Sequence, residues 1–304
     1  MNEKKVERDL FGLPLKKSQK TDEFFSHLSE EKFREKKPVI NLLNVRKIYG
    51  GEETETRALN GVNLEIRKGE FVVIMGASGS GKTTLLNVIG LLDRPSEGKY
   101  EMNGKDFSAR INSRKRAITR GKNIGFIFQD YNLIDSLNVI DNVALPLQYS
   151  SRKPNFVNET KASKILAKFN MNSKEYYMPN QLSGGQRQRV AIARSLANEP
   201  SIILADEPTG SLDSENSTII MEEFSRIHAD GNTILMVTHN PDLLQYGSRA
   251  IYMKDGKIAK DIELTENTAY KISRKTDESQ EEAKSPKKKK RIIRKKSKTK
   301  GVKK

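Results

Sequence analysis

A chain of 304 residues with 35% hydrophobic and 31% charged side chains is long enough to bury one large core or two smaller ones. It has no apolar run near the ~20 residues that a bilayer span needs. It also has no Cys, which excludes a disulfide framework and a thiolate metal site. The net charge of +16 is local, because 12 Lys and Arg and no acid fall within 285–304, leaving +4 over everything before.

The opening Met1-Asn2-Glu3-Lys4-Lys5 leads into no apolar stretch, so no secretory signal is expected. Residues 1–37 are rich in charge and read as an extension outside the folded body. Within them Phe24, Phe25, Leu28 and Phe33 are spaced as one face of a short helix, which could dock on the body or on a partner. The body begins near Val39–Val45, a strand pattern, with Tyr49 following it, and Ala58–Ile66 alternates as a half-exposed strand does. An aromatic ring such as Tyr49 offers a flat apolar face on which a purine can stack.

Phe71–Met75 reads as a buried strand, and directly after it stand Gly76, Ala77, Ser78, Gly79, Ser80, Gly81, Lys82, Thr83 and Thr84, leading into a helix at Leu85–Ile89. Glycines let consecutive N–H groups turn inward, and the helix adds the positive end of its dipole, so this stretch predicts a cradle for a polyphosphate. Lys82 is expected to reach the β- and γ-phosphates, and the Thr83 hydroxyl to ligate the Mg²⁺ that bridges them.

Lys99–Met102 predicts a strand turning at Asn103-Gly104, and Ile124–Phe128 a buried strand ending at Gln129. From Asn138 to about Asn180 the spacing becomes helical, which predicts an inserted helical subdomain. Leu182-Ser183-Gly184-Gly185-Gln186 precedes a helix expected over Arg187–Ala197, a second glycine-containing anion site at a helix N-terminus. One nucleotide does not need two such sites in one subunit. The economical arrangement is two chains meeting head to tail, each offering this pentapeptide to the other's phosphate loop.

Ile202–Ala205 is an apolar strand that delivers Asp206 and Glu207 at its C-terminal end, the edge at which open α/β sheets bind ligands. Asp206 is expected to hold Mg²⁺ through water, and Glu207 to polarise the attacking water as general base. A helix over Glu215–His228, a strand over Thr233–Thr238 and a hairpin turning at Asp255-Gly256 complete the body. This alternation predicts a parallel sheet covered by helices. The stretch beyond Lys260 turns polar and then basic, and like charges in a row do not pack against one another.

These motifs, in this order, resemble those of an ATP-binding-cassette (ABC) ATPase subunit over about residues 39–260. Ala58–Val62, Gly90–Pro95 and Gly125–Gln129 are most similar to cassettes of the macrolide-exporter and lipoprotein-releasing type. The resemblance implies an α/β P-loop NTPase at 38–264, with a mainly parallel core sheet, an N-terminal antiparallel β subdomain and an α-helical subdomain over about 130–182. It implies that Tyr49 stacks on adenine and that Gln129 senses Mg²⁺ and γ-phosphate and couples to a membrane subunit. Ser183, Gly184, Gly185 and Gln186 would act as the signature, Asp213 as part of a loop crossing a dimer interface, and His239 as a contact to γ-phosphate.

ATP and Mg²⁺ are the implied cofactors. The implied partners are a second copy or a homologous cassette and an integral membrane permease, at the cytoplasmic face of the cell membrane, exporting or extruding a lipoprotein, peptide or drug-like substrate. Two alternatives stay open: a soluble ATPase of this type acting on ribosomes or nucleic acid, and a division-associated cassette that works a membrane protein without moving a solute. Lys82 and Ser183 are only 101 positions apart, too few for the long coiled coil of chromosome-organising members. The family core needs neither 1–37 nor the tail over 265–304, whose basic run is a candidate for anionic lipid, RNA or a nuclear-import patch.

Overall fold

In chain order the computed structural model runs through β1 (Pro38–Tyr49), β2 (Thr56–Arg67), β3 (Phe71–Met75), α1 (Lys82–Ile89), β4 (Glu97–Met102) and β5 (Lys105–Asp106). It continues through α2 (Ser113–Asn123), β6 (Ile124–Ile127), α3 (Val139–Ser150), α4 (Asn155–Lys168), α5 (Gly184–Leu196) and β7 (Ile202–Asp206). The last elements are α6 (Ser214–Ala229), β8 (Ile234–Val237), β9 (Arg249–Lys254) and β10 (Lys257–Glu263). The structure describes residues 38–50, 55–108, 111–150 and 154–264. The expectations for 1–37 and for the tail beyond 264 lie outside them.

Two sheets form. An antiparallel one has the order β2-β1-β4-β5, and a six-stranded one the order β10-β9-β3-β8-β7-β6. In the second, β9, β3, β8, β7 and β6 run parallel and only the edge strand β10 is antiparallel. All five side chains of β3 are buried, as a central parallel strand covered on both faces requires. They divide by parity. Phe71, Val73 and Met75 join a core with side chains of α3, α4, α5 and α6, while Val72 and Ile74 join one with α1 and the antiparallel sheet.

Between β6 and α5 the chain is helical but irregular, with α3 and α4 followed by short 3-10 turns at Asn172–Lys174 and Pro179–Gln181. Buried Asn142 ties it to the stretch before it, accepting from the Ile134 N–H and donating to the Ile134, Leu137 and Asn138 carbonyls.

Two local expectations need correction, and one helix was not expected. The helix expected from Arg187 begins at Gly184, because the Ser183 hydroxyl accepts from the Gln186 N–H while the Gln186 side chain returns to the Ser183 N–H, a capping box. The strand that leads to Gln129 ends at Ile127. Helix α2 is not signalled by apolar periodicity. It is strongly basic and buries no residue, and it is held by the Asn112 cap and by the Asn198 amide, which donates to the Gly121 and Pro146 carbonyls.

Candidate nucleotide site

The turn that links β3 to α1 is shaped by its glycines. Gly81 caps α1 at φ +99°, a left-handed conformation, and a Cβ there would stand 2.5 Å from the Ala58 carbonyl oxygen. A Cβ on Gly76 would stand 2.5 Å from the Met253 carbonyl oxygen, so the loop lies tight against β9. Lys82 is buried along its stem, and its ammonium donates to the Gly76 and Ala77 carbonyls at 2.8 and 2.9 Å. The Ser80 hydroxyl is buried with no hydrogen-bond partner. A glycine turn closed over a buried cation, beside an orphaned hydroxyl, fits a polyphosphate.

The carboxylates arrive from the neighbouring strands. Asp206 ends β7 opposite Val237 of β8, and burial, then the charge of Glu207, pushes its carboxyl above the ordinary 3.8, with Lys82 pulling the other way. Glu207 lies just past the strand at φ +45°, an uncommon conformation for a residue with a side chain, and its N–H donates to the Val237 carbonyl at 2.9 Å. The turn aims its carboxylate at His239, with Oε2 2.9 Å from Nδ1. A cleft of ≈ 390 Å³ opens beside this pair, bounded by Thr209, Gly210 and Leu212.

The donors expected to hold Mg²⁺, Thr83, Asp206 and Gln129, are all oxygen ligands suited to a hard cation. Among the described residues no group of three or more His, Cys, Asp or Glu forms a metal cage.

Tyr49, the last residue of β1, keeps an exposed ring. Its phenol donates to Asp93 Oδ2 at 2.7 Å, and the Lys47 ammonium lies 4.7 Å from the ring centroid while also donating to Asp93 Oδ1 at 2.7 Å. Burial alone would raise the Asp93 carboxyl, but hydrogen bonds from Lys47, Tyr49 and the Arg94 N–H outweigh it and hold the group below its ordinary value.

The remaining predicted residues stand elsewhere. Ser183, Gly184, Gly185 and Gln186 form the first turn of α5 and its cap, and none of the hydrogen bonds or ion pairs among the described residues joins them to the loop at 76–84. Gly185 lies so near α6 that a Cβ would stand 2.5 Å from Asn216 Oδ1. Asp213 caps α6, accepting from the Asn216 N–H at 2.8 Å, so it has a structural task besides the one expected of it. Gln129 is exposed just beyond β6, and its carbonyl accepts from the Ser211 hydroxyl at 3.1 Å. Reading the sequence passed over Lys47, Tyr131 and Arg194. Tyr131 shows itself only as an aromatic two places beyond Gln129, and the other two carry no signal.

A parallel sheet that presents a phosphate cradle, paired carboxylates and a histidine at one edge defines a P-loop nucleotide hydrolase. The chain belongs to the ABC transporter family, whose model matches residues 59–210. It is an ATP-binding cassette and an ATPase.

Among its relatives is an uncharacterized ABC transporter ATP-binding protein, YknY, of Bacillus subtilis, 46% identical over 72% of this chain and 95% of that one. The macrolide export ATP-binding/permease protein MacB of Chlorobium phaeobacteroides is 46% identical over 74% of this chain but 34% of its own length. The chain thus spans about a third of the MacB proteins it matches. A solved structure of the cassette MJ0796, a dimer in a post-hydrolysis state bound to ADP and Pi, matches with a TM-score of 0.69 and 42% identity over 74% of this chain and 99% of that one.

Proposed function

We propose that this chain is the ATP-hydrolysing subunit of an exporter, closing head to tail on a second copy or a homologous cassette and driving a membrane permease from the cytoplasmic side. One observation carries the reading. The phosphate loop, Asp206, Glu207 and His239 gather at one sheet edge, while the other anion-accepting helix tip, at Ser183, bonds to none of them. Each tip then completes the site of the other copy. The dimer named for MJ0796 and the export and permease functions named for MacB support this.

In this reading Tyr49 stacks on the base. The amides of Gly76, Ala77, Ser78, Gly79, Ser80 and Gly81 wrap the phosphates with the Thr84 end of the loop, and Lys82 neutralises charge that spreads onto the γ-oxygens. Glu207 accepts the proton of the attacking water, and His239 orients that carboxylate through Nδ1. Ser183, Gly184, Gly185 and Gln186 contact the γ-phosphate across the dimer, with Asp213 at the interface. Mg²⁺ held by Thr83, Gln129 and Asp206 supplies further positive charge. The basic tail is a candidate for anionic lipid.

The test uses Glu207→Gln. Losing a general base lowers turnover by about 10²–10⁴, and ATP-loaded variant is expected to run as a dimer by light scattering and to dissociate with ADP. Undiminished hydrolysis overturns the role of Glu207, and a monomer at every concentration overturns the closure. A ribosome in place of an integral membrane protein on mild-detergent purification overturns the transporter reading.

A further inference from the structure

We infer that Tyr131 is a positioning residue that joins two loops of the site and the tip of α5 through one phenol, so that a movement at Gln129 reaches both Ser211 and that tip. The inference rests on the two-copy reading above and deepens it.

Tyr131 sits two residues beyond Gln129 at φ +62°, and Asn132 follows at φ +46°. An aromatic side chain is seldom found there, and such a backbone persists only where its surroundings hold it. The holding group is Arg194 on α5, half-buried, whose guanidinium donates to the Tyr131 and Asn132 carbonyls.

The phenol oxygen lies 3.0 Å from Ser211 Oγ, and that hydroxyl also lies 3.1 Å from the Gln129 carbonyl. A serine has one proton and a carbonyl only accepts, so Ser211 donates to Gln129 and accepts from Tyr131. The ring lies under the Arg187 guanidinium at 5.1 Å, in the first turns of α5, and Arg187 Nε is buried with no hydrogen-bond partner. Gly184 completes the contact, since a Cβ there would fall 2.9 Å from the phenol oxygen and 3.3 Å from Leu212 Cδ2.

Tyr131, itself part of the loop of Gln129, therefore reaches with its phenol the loop of Ser211 to Asp213 and the first turn of α5, and Ser211 bonds back to the Gln129 carbonyl. In the proposed dimer the first serves one nucleotide, the third serves the other and the second runs between them. A tyrosine that merely filled space would need its ring and not its oxygen. The hydroxyl is the part that binds Ser211, and Tyr131→Phe removes it alone.

The experiment measures ATP hydrolysis and amide hydrogen exchange in full-length wild type, Tyr131→Phe, Ser211→Ala and the double variant, with thermal melts to confirm folding. Losing one neutral hydrogen bond in Tyr131→Phe is expected to lower kcat roughly 2- to 12-fold, with KM for ATP unchanged and the double variant no worse than Ser211→Ala, which already lacks that bond. In wild type, ATP is expected to protect amides of 127–133, 181–187 and 208–214 together. In Tyr131→Phe the first stretch is expected to stay protected and the other two to lose protection. Wild-type kcat in Tyr131→Phe, losses that multiply, or joint protection in both proteins overturns the inference. A wild-type protein in which ATP protects none of the three overturns instead the functional reading beneath it.

Discussion

Glu207 is held by its neighbours in a conformation that its own side chain disfavours, with φ +45° fixed by the bond to Val237 and the carboxylate 2.9 Å from His239. Asp93 is the converse, a carboxylate made comfortable by Lys47, Tyr49 and the Arg94 N–H. Because its folded pKa lies below the ordinary 3.8, its contribution to stability is present above that pH and is lost as the pH falls through the folded value. Asp93→Asn is therefore expected to melt below wild type at neutral pH, with the gap closing under about pH 4; scanning calorimetry across pH checks this, and a gap that persists in acid would reject it. At this scale legibility followed chemistry. Lys82, Asp206 and Glu207 announce themselves because a strand followed by those residue types does one thing well. Asp93 and Tyr131 do not, because their partners lie 44 and 80 positions away and only the fold brings them together.

Among the elements, β6 and α5 touch backbone to backbone. A Cβ on Gly125 would stand 2.4 Å from the Ser195 carbonyl oxygen, so no side-chain rotation can relieve the clash. Gly125→Ala is expected to cost about 1–3 kcal/mol, read by urea denaturation, and to slow hydrolysis more than destabilisation explains, since it pushes the helix capped by Ser183 away from the strand that leads to Gln129. Unchanged stability would show that the two elements separate freely. Most strands were legible from their runs of apolar residues, β3, β7 and β8 above all. Helix α2 was not, since its residues face solvent and leave no apolar stripe to read. The start of α5 was misplaced because Gly184 and Gly185 suggest a loop, while the capping box of Ser183 and Gln186 begins the helix before them.

Across the molecule, both cores are built, among the described residues, from side chains between Val39 and Met253. A fragment of residues 38–264 is therefore expected to fold and to keep the ATPase rate of the full chain, while deletion of 285–304 alone is expected to lower affinity for vesicles of anionic lipid in step with its 12 basic residues. Vesicle binding that survives the truncation would exclude the tail as the lipid contact. Strand β3 carries a last consequence. Its neighbouring side chains belong to opposite layers, so it is the party wall of two rooms, and the phosphate cradle hangs from its end. Furniture shifted in either room presses on the same wall, and temperature-sensitive alleles falling in this strand should lose heat resistance and turnover as one phenotype.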